Sequence, residues 1–184
     1  MKNPNDLFYI KQIKAGNIRA FSGIISNYQE IIFSIVLKIV SNREDAEDIV
    51  QEIFVKVFNS LENFREESEF STWLYRIAYN ASISELRKRR VSFVSISDIQ
   101  QEDNEEYIEN EEVSLMEIKL KFLNDALKKL SPDEIFLVTL YYYKDQSIDT
   151  IAEISNLTVA NVKVKLHRIR KKLALEINRL LQNE

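Results

Sequence analysis

The chain has 184 residues, 45% hydrophobic and 29% charged, with a formal net charge of −4. It has no cysteine and a single histidine, His167, which excludes disulfides, thiolate metal centres and histidine-rich metal sites. Two glycines and two prolines, among many Ile, Leu, Glu and Lys, predict an all-α protein.

Charge is unevenly spread. Residues 1–90 carry net +1, residues 91–117 carry net −9 with no basic side chain, and residues 118–184 carry net +4. The acidity sits mostly in one segment, so the overall balance does not exclude nucleic acid as a partner of the flanks. The start, MKNPNDLFYIKQIKAGN, lacks the apolar core of a secretion signal. The longest apolar run, Ile31 to Val40, is interrupted by Ser34 and Lys38 and reads as too short for a bilayer. A cytoplasmic location is the expectation.

Residues 6–40 predict two helices. The second is apolar nearly all round from Ile31 to Val40, as a central buried helix would be. Ser41-Asn42 ends it. A third helix is predicted over about 43–61 and a fourth over 70–90. Residues 91–112 have no helical period and are rich in Ser, Asp, Glu, Asn and Gln, the composition of a flexible linker. Periodicity resumes at Val113. Ser131-Pro132-Asp133-Glu134 then has the pattern of a capping box with proline in the first helical position. The next helix, Ile135 to Lys144, ends at Asp145-Gln146. Ser147 caps a short helix, Ile148 to Ile154. Ser155-Asn156 turns the chain, and Thr158 caps a last helix running to about Leu181. The fold class is therefore two small helical domains, 1–90 and 113–184, joined by an acidic linker, 91–112.

In the third helix, Ala46, Ile49, Val50, Ile53, Phe54, Val57 and Leu61 form the buried face. Asp45, Asp48, Gln51 and Glu52 lie opposite, with Val55 projecting among them. One apolar side chain ringed by polar ones has the composition of a protein contact. From periodicity alone, a solvated helix face is an equal alternative.

In the fourth helix, Phe70, Leu74, Ile77, Ala78 and Ala81 form the core stripe. Trp73, Arg76, Asn80, Ile83 and Arg87 recur in steps of three and four, with Tyr79 beside them, and the helix runs into Arg87-Lys88-Arg89-Arg90. Rings interleaved with cations suit single-stranded DNA, whose bases stack and whose phosphates pair. The preceding segment, NFREESEF, could wall a site for an extruded base. The plainer alternative is that Trp73 and the tyrosines are core.

In the last helix, Val162, Leu166, Ile169 and Leu173 form a buried stripe. Ala160, Lys163, Val164, His167, Arg168 and Lys171 form the opposite face, and no acid occurs between Glu153 and Glu176. A short helix, a tight turn and a basic second helix are the pattern of a helix-turn-helix. Lysine and arginine would neutralise phosphates, and small apolar Ala160 and Val164 would suit thymine methyls. A solvated basic face is the alternative.

Three motifs together resemble a known family. DAEDIVQEIFVKVF is similar to the polymerase-binding helix of the extracytoplasmic-function (ECF) sigma factors, in the bacterial sigma-seventy family. FREESEFSTWLYRIAYN resembles their segment that opens the minus-ten promoter element. The stretch from Leu130 to Leu173 resembles their module for the minus-thirty-five element. The resemblance implies a factor that binds core RNA polymerase and directs promoter recognition and opening. It implies polymerase contacts from Asp45, Asp48, Gln51, Glu52 and Val55. It implies minus-ten contacts from Phe64, Trp73, Arg76, Tyr79, Asn80, Ile83, Arg87 and Lys88. For the minus-thirty-five element it implies Thr158, Ala160, Asn161, Lys163, Val164, His167, Arg168 and Lys171. It further implies promoter DNA, duplex and melted, as a partner, an anti-sigma protein as regulator, and a linker threaded through polymerase channels. The chain departs from the family in four places: Glu66 stands where Gly is frequent, Ser84 where Asp is usual, Ser155-Asn156 for Leu-Gly, and Val164 for a common Ser.

Two other classes compete. A stand-alone helix-turn-helix regulator would bind duplex DNA without polymerase. An enzyme is disfavoured by one histidine on a DNA-type face, no cysteine and no glycine-rich phosphate loop. No cofactor or metal is expected.

Overall fold

The computed structural model describes residues 5–93 and 115–182, and every regular element among them is helical. The helices are α1 (Asp6–Lys14), α2 (Phe21–Val40), α3 (Arg43–Ser60), α4 (Phe70–Phe93), α5 (Leu115–Lys128), α6 (Pro132–Val138), α7 (Ile148–Ser155) and α8 (Val159–Gln182). The sequence-based linker is shortened at its start, because residues 91–93 belong to α4; its remainder, 94–112, lies outside the described residues. Helix α5 is described from Leu115; Val113, where the periodicity resumes, lies outside the described residues.

Local chemistry sets the boundaries. Gly16 takes φ +94 in the turn between α1 and α2, a left-handed conformation that glycine adopts without strain. Gly23 lets α1 approach α2, since a Cβ there would lie 2.5 Å from the Tyr9 ring. Helix α2 stops where Ser41 turns left-handed (φ 58), and Asn42 caps α3 by accepting from the Asp45 N–H at 2.9 Å. The capping box at α6 is present: Ser131 Oγ accepts from Glu134 N–H, and the Glu134 carboxylate accepts from Ser131 N–H at 2.7 Å. Ser147 caps α7. Asn156 supplies the left-handed turn (φ 53) before α8, and Thr158 accepts from the Asn161 N–H at 3.2 Å.

The segment read as one helix from Ile135 to Lys144 is two windings. Past Val138 the backbone widens to a π-turn over Thr139–Tyr143, where Lys144 N–H bonds the carbonyl of Thr139, five residues back, at 3.0 Å. Tyr142 and Tyr143 are exposed there, while Thr139 and Leu140 are buried.

Helix α2 is the centre of the molecule. A longer stretch that includes the run Ile31 to Val40, Ile18–Val40, of mean hydropathy 1.4, is long and apolar enough by length and composition to cross a membrane. Here Ile24, Ile32, Ile35, Val36 and Ile39 of that helix lie in the protein core. Helices α1, α3 and α4 pack around it, and α6 packs on it from the C-terminal half. Helix α4 in turn lies between α2 and α3 on one side and α6 and α7 on the other. One apolar cluster thus runs from Ile10 in α1 to Ile169 in α8. Buried Ser71, Thr72 and Ser82 interrupt the apolar pattern of α4, and Ser82 satisfies its hydroxyl on the Ala78 carbonyl at 2.8 Å.

Asp6 is buried at the start of α1, where one carboxylate oxygen accepts from the Tyr28 hydroxyl at 2.5 Å and the other has no partner. Burial holds its carboxyl above the usual range, against the lowering effect of the Tyr28 bond. Burial likewise pushes the Tyr75 hydroxyl up to about 12, helped by the Asp6 charge. A carboxyl raised in the folded state weakens folding as pH climbs through the raised value, and the penalty is absent below the unfolded value. Asp6→Asn keeps an acceptor for Tyr28 and removes the charge. It should raise the melting temperature at neutral pH and give no gain near about pH 3, where Asp6 is already protonated; thermal melts at both ends of that range test this.

Candidate polymerase and nucleic-acid interfaces

The outer face of α3 follows from its inner one. Ala46, Ile49, Ile53, Phe54 and Val57 are buried, with Val50 half-buried. Asp48, Gln51 and Glu52 are therefore exposed, and Val55 stands among them at 60% exposure. Asp45 is half-buried in the first turn of the helix, where the dipole favours a carboxylate. Glu52 pairs with Lys56 at 3.3 Å, an exposed contact of little strength. The face is acidic around one apolar knob.

Helix α4 is more complicated than its wheel. Asn80, Arg87 and Lys88 are exposed. Trp73 is half-buried, its ring tilted against Phe64 at 5.3 Å and Phe70 at 5.7 Å. Two residues expected to meet DNA are not on the surface. Phe64 is 4% exposed, an aromatic wedge between Phe70 and Trp73, and Ile83 is 9% exposed. The wheel treats one side of α4 as free, whereas α6 and α7 cover part of it.

Arg76 and Tyr79 are half-buried for that reason. Arg76 Nη2 meets Glu153 Oε1 of α7 at 3.2 Å, while its Nε is buried without an acceptor. The Tyr79 ring lies 4.4 Å from that of Phe136 in α6, tilted by 34°, and its hydroxyl donates to the Asp133 carboxylate. Burial and that bond push the Tyr79 hydroxyl well above its ordinary value. Arg76 and Asn80 also line a recess with Glu153, Ile154, Asn156 and Leu157, at the helix-turn-helix corner. Sequence reasoning assigns no role to Asp133, Phe136 or Glu153; no local pattern reports a contact 54 or 77 residues distant.

The last helix carries its cations outward. Val162, Leu166 and Ile169 are buried and Leu173 half-buried, whereas Thr158, Ala160, Asn161, Lys163, Val164, His167, Arg168 and Lys171 are all exposed. Lys172 instead turns to the capping box and pairs with Glu134 at 2.7 Å. Burial opposes charge on Glu134, but the Lys172 ammonium and the Ser131 N–H outweigh it and hold the carboxyl below its usual range. Arg170 Nε donates to the Tyr142 hydroxyl at 2.6 Å, so the π-turn braces the side of α8. Among the described residues, no group of three or more His, Cys, Asp or Glu side chains could hold a metal ion.

The chain thus joins an acidic helix, an aromatic and basic helix and a C-terminal helix-turn-helix. Residues 24–91 match the Sigma-70 region 2 family, and residues 123–173 match Sigma-70, region 4. The chain is 31% identical to the ECF RNA polymerase sigma-E factor of Haemophilus influenzae, over 96% of this chain and 97% of that one. It is 28% identical to the ECF RNA polymerase sigma factor SigW of Bacillus subtilis, over 93% and 96%. The chain belongs to the ECF RNA polymerase sigma factors of the sigma-70 family. Among solved structures its fold is like that of CnrH in complex with the cytosolic domain of CnrY (TM-score 0.69, 22% identity, 95% of this chain and 97% of that one). It is also like the sigma factor RpoE in complex with the anti-sigma factor NepR from Bartonella quintana (TM-score 0.66, 21% identity, 86% and 96%).

The loop before α4 holds a strained position. Glu66 is left-handed at φ 59, a conformation costing a non-glycine residue about 1–2 kcal/mol. Part of that is returned by glycine's larger entropy loss on folding, about 0.5–1 kcal/mol. Glu66→Gly should therefore stabilise the protein by up to about 1.5 kcal/mol, read as a higher denaturant midpoint at unchanged slope.

Proposed function

We propose that this ECF sigma factor divides promoter recognition among three of its own surfaces. It binds core RNA polymerase and directs promoter recognition and DNA opening. Residues 1–90 act in polymerase binding and at the minus-ten element, 91–112 connect, and 113–184 act at the minus-thirty-five element. Asp45, Asp48, Gln51, Glu52 and Val55 dock on polymerase, with Val55 at the centre of the contact and the acids selecting a basic partner. Lys163, His167, Arg168 and Lys171 engage the duplex upstream, and Ala160 and Val164 face base edges. Trp73, Arg76, Tyr79, Asn80, Arg87 and Lys88 capture the strand as it separates, replacing part of the lost base stacking with ring stacking and phosphate pairing. Phe64 supports Trp73 from beneath. Ile83, being buried, reaches DNA only if the packing around it opens.

The observation that carries this reading is the coexistence, in one chain, of an exposed apolar knob among acids on α3 and an outer face on α8 that carries cations and no acid before Glu176. A free-standing regulator needs the second and has no use for the first. No bond-making step is assigned to the chain, and its site of action is the cytoplasm, with polymerase. The Bartonella quintana neighbour is described with an anti-sigma factor; a regulator of that kind is proposed for this chain too, and co-purification from unstressed cells that yields polymerase subunits alone would count against it.

Val55→Arg should abolish holoenzyme formation on a native gel while leaving binding to a duplex probe intact. Loss of duplex binding as well would point to unfolding, and duplex binding by an unsubstituted chain that forms no holoenzyme would point to the stand-alone alternative. Replacing Lys163 and Arg168 with Ala should weaken duplex binding and reduce the salt slope by about 1 for each phosphate no longer neutralised, measured by titration in rising salt.

A further inference from the structure

We infer that helix α1 is a strut that positions Trp73 for strand capture, acting through Asp6 and Tyr28 at one end and through Lys14 at the other. The inference rests on the assignment of Trp73 to strand capture. The Trp73 ring lies on two others, Phe64 at 5.3 Å and Phe70 at 5.7 Å, which are themselves 5.6 Å apart and nearly perpendicular. Phe64 and Phe70 are 4% and 3% exposed, so they form a seat beneath the indole and offer no face of their own to a base. Helix α1 holds both halves of that seat. At its start, Asp6 accepts from the Tyr28 hydroxyl at 2.5 Å, and the Tyr28 ring meets Phe70 edge-on at 5.6 Å. At its end, the Lys14 ammonium donates to the carbonyl of Phe64 at 2.9 Å and reaches that of Glu62 at 3.4 Å. Both anchors belong to one nine-residue helix.

Stability alone does not account for the first anchor. Asp6 is 5% exposed, one of its oxygens is buried without a partner among the described residues, and burial disfavours its charge. A well-packed apolar pair in place of Asp6 and Tyr28 would fill the space without that cost. What the polar pair adds is direction. A hydroxyl held by a carboxylate fixes the tip of the Tyr28 ring, and with it the edge presented to Phe70. The other side chains whose charge is felt at Asp6, or that feel its charge, are Glu69, next to Phe70 in the chain, and Tyr75 of α4, so the acid acts on the beginning of α4. The second anchor acts on the other ring. Phe64 lies in the non-helical stretch that includes left-handed Glu66, and Lys14 gives that stretch a fixed point. Placement matters to the indole because a base gains from stacking only where the two rings overlap at the right height and tilt.

Trp73 is the single tryptophan of the chain, so its fluorescence reports its own seat. Tyr28→Phe removes the hydroxyl and keeps the ring; Lys14→Met removes an exposed ammonium and keeps the stem. In each variant the emission of the full chain should move to longer wavelength. The affinity of the holoenzyme for a single-stranded minus-ten oligonucleotide should fall about three- to tenfold, part of what one base stack supplies. Holoenzyme formation and binding to an upstream duplex should not change. Asp6→Asn keeps an acceptor for Tyr28 and should match the unsubstituted protein in both readouts, whereas Asp6→Leu should match Tyr28→Phe. Unmoved emission in folded Tyr28→Phe and Lys14→Met would overturn the strut. So would shifted emission with intact affinity where Trp73→Ala lowers affinity, as would a parallel loss of duplex binding, the mark of a general structural role. A failure of the strand-capture assignment has a separate signature: holoenzyme carrying Trp73→Ala would bind the oligonucleotide as the unsubstituted one does, and emission alone would then decide whether α1 sets the indole.

Discussion

Helix α4 is packed upon from two sides, and much else follows from that. One side supplies Phe70, Leu74, Ala78 and Ala81 to the core it shares with α2 and α3. The other carries Arg76, Tyr79 and Asn80, side chains with both an apolar body and a polar end. Such a face adheres to nucleic acid for the same reasons it adheres to protein: rings stack, and a guanidinium takes any well-placed anion. In this structure the adherent surface is α6 and α7. The two halves are thereby joined into one apolar cluster even though the sequence between them is polar and acidic.

Much of the architecture could be read from the residues because it is local. The Ser131 capping box, the Ser147 cap, the left-handed Asn156 and the break at Ser41-Asn42 each act within four residues, and all four stand where the sequence indicates. The buried stripes of α3 and α8 follow from a regular 3.6-residue period on helices with one covered side. The period fails at Ile83, which is buried although the wheel places it outward, and where a short loop is folded under an indole, as at Phe64. The winding of Thr139–Tyr143 was also out of reach, because TLYYY has no composition that separates a wide turn from an α-helix.

The candidate surfaces divide along the same line. Val55 and the cations of α8 emerge exposed because exposure is the complement of a strong stripe. The pairings of Arg76 and Tyr79 depend on the placement of α6 and α7 against α4, and no spacing encodes that. Membership of the ECF sigma factors says which partners the chain serves.

The wide turn at Thr139–Tyr143 is a phase device. A π-turn accommodates one residue more than the α-helical path it replaces, and each residue of an α-helix advances about 100°. Shortening this stretch by a single tyrosine would let ordinary winding resume and would swing α7 and α8 by roughly a quarter turn about the α6 axis. Leu140 would leave the interior and Tyr142 would part from Arg170. The three consecutive tyrosines thus set the rotational register between the cap that starts α6 and the helix that bears the cations.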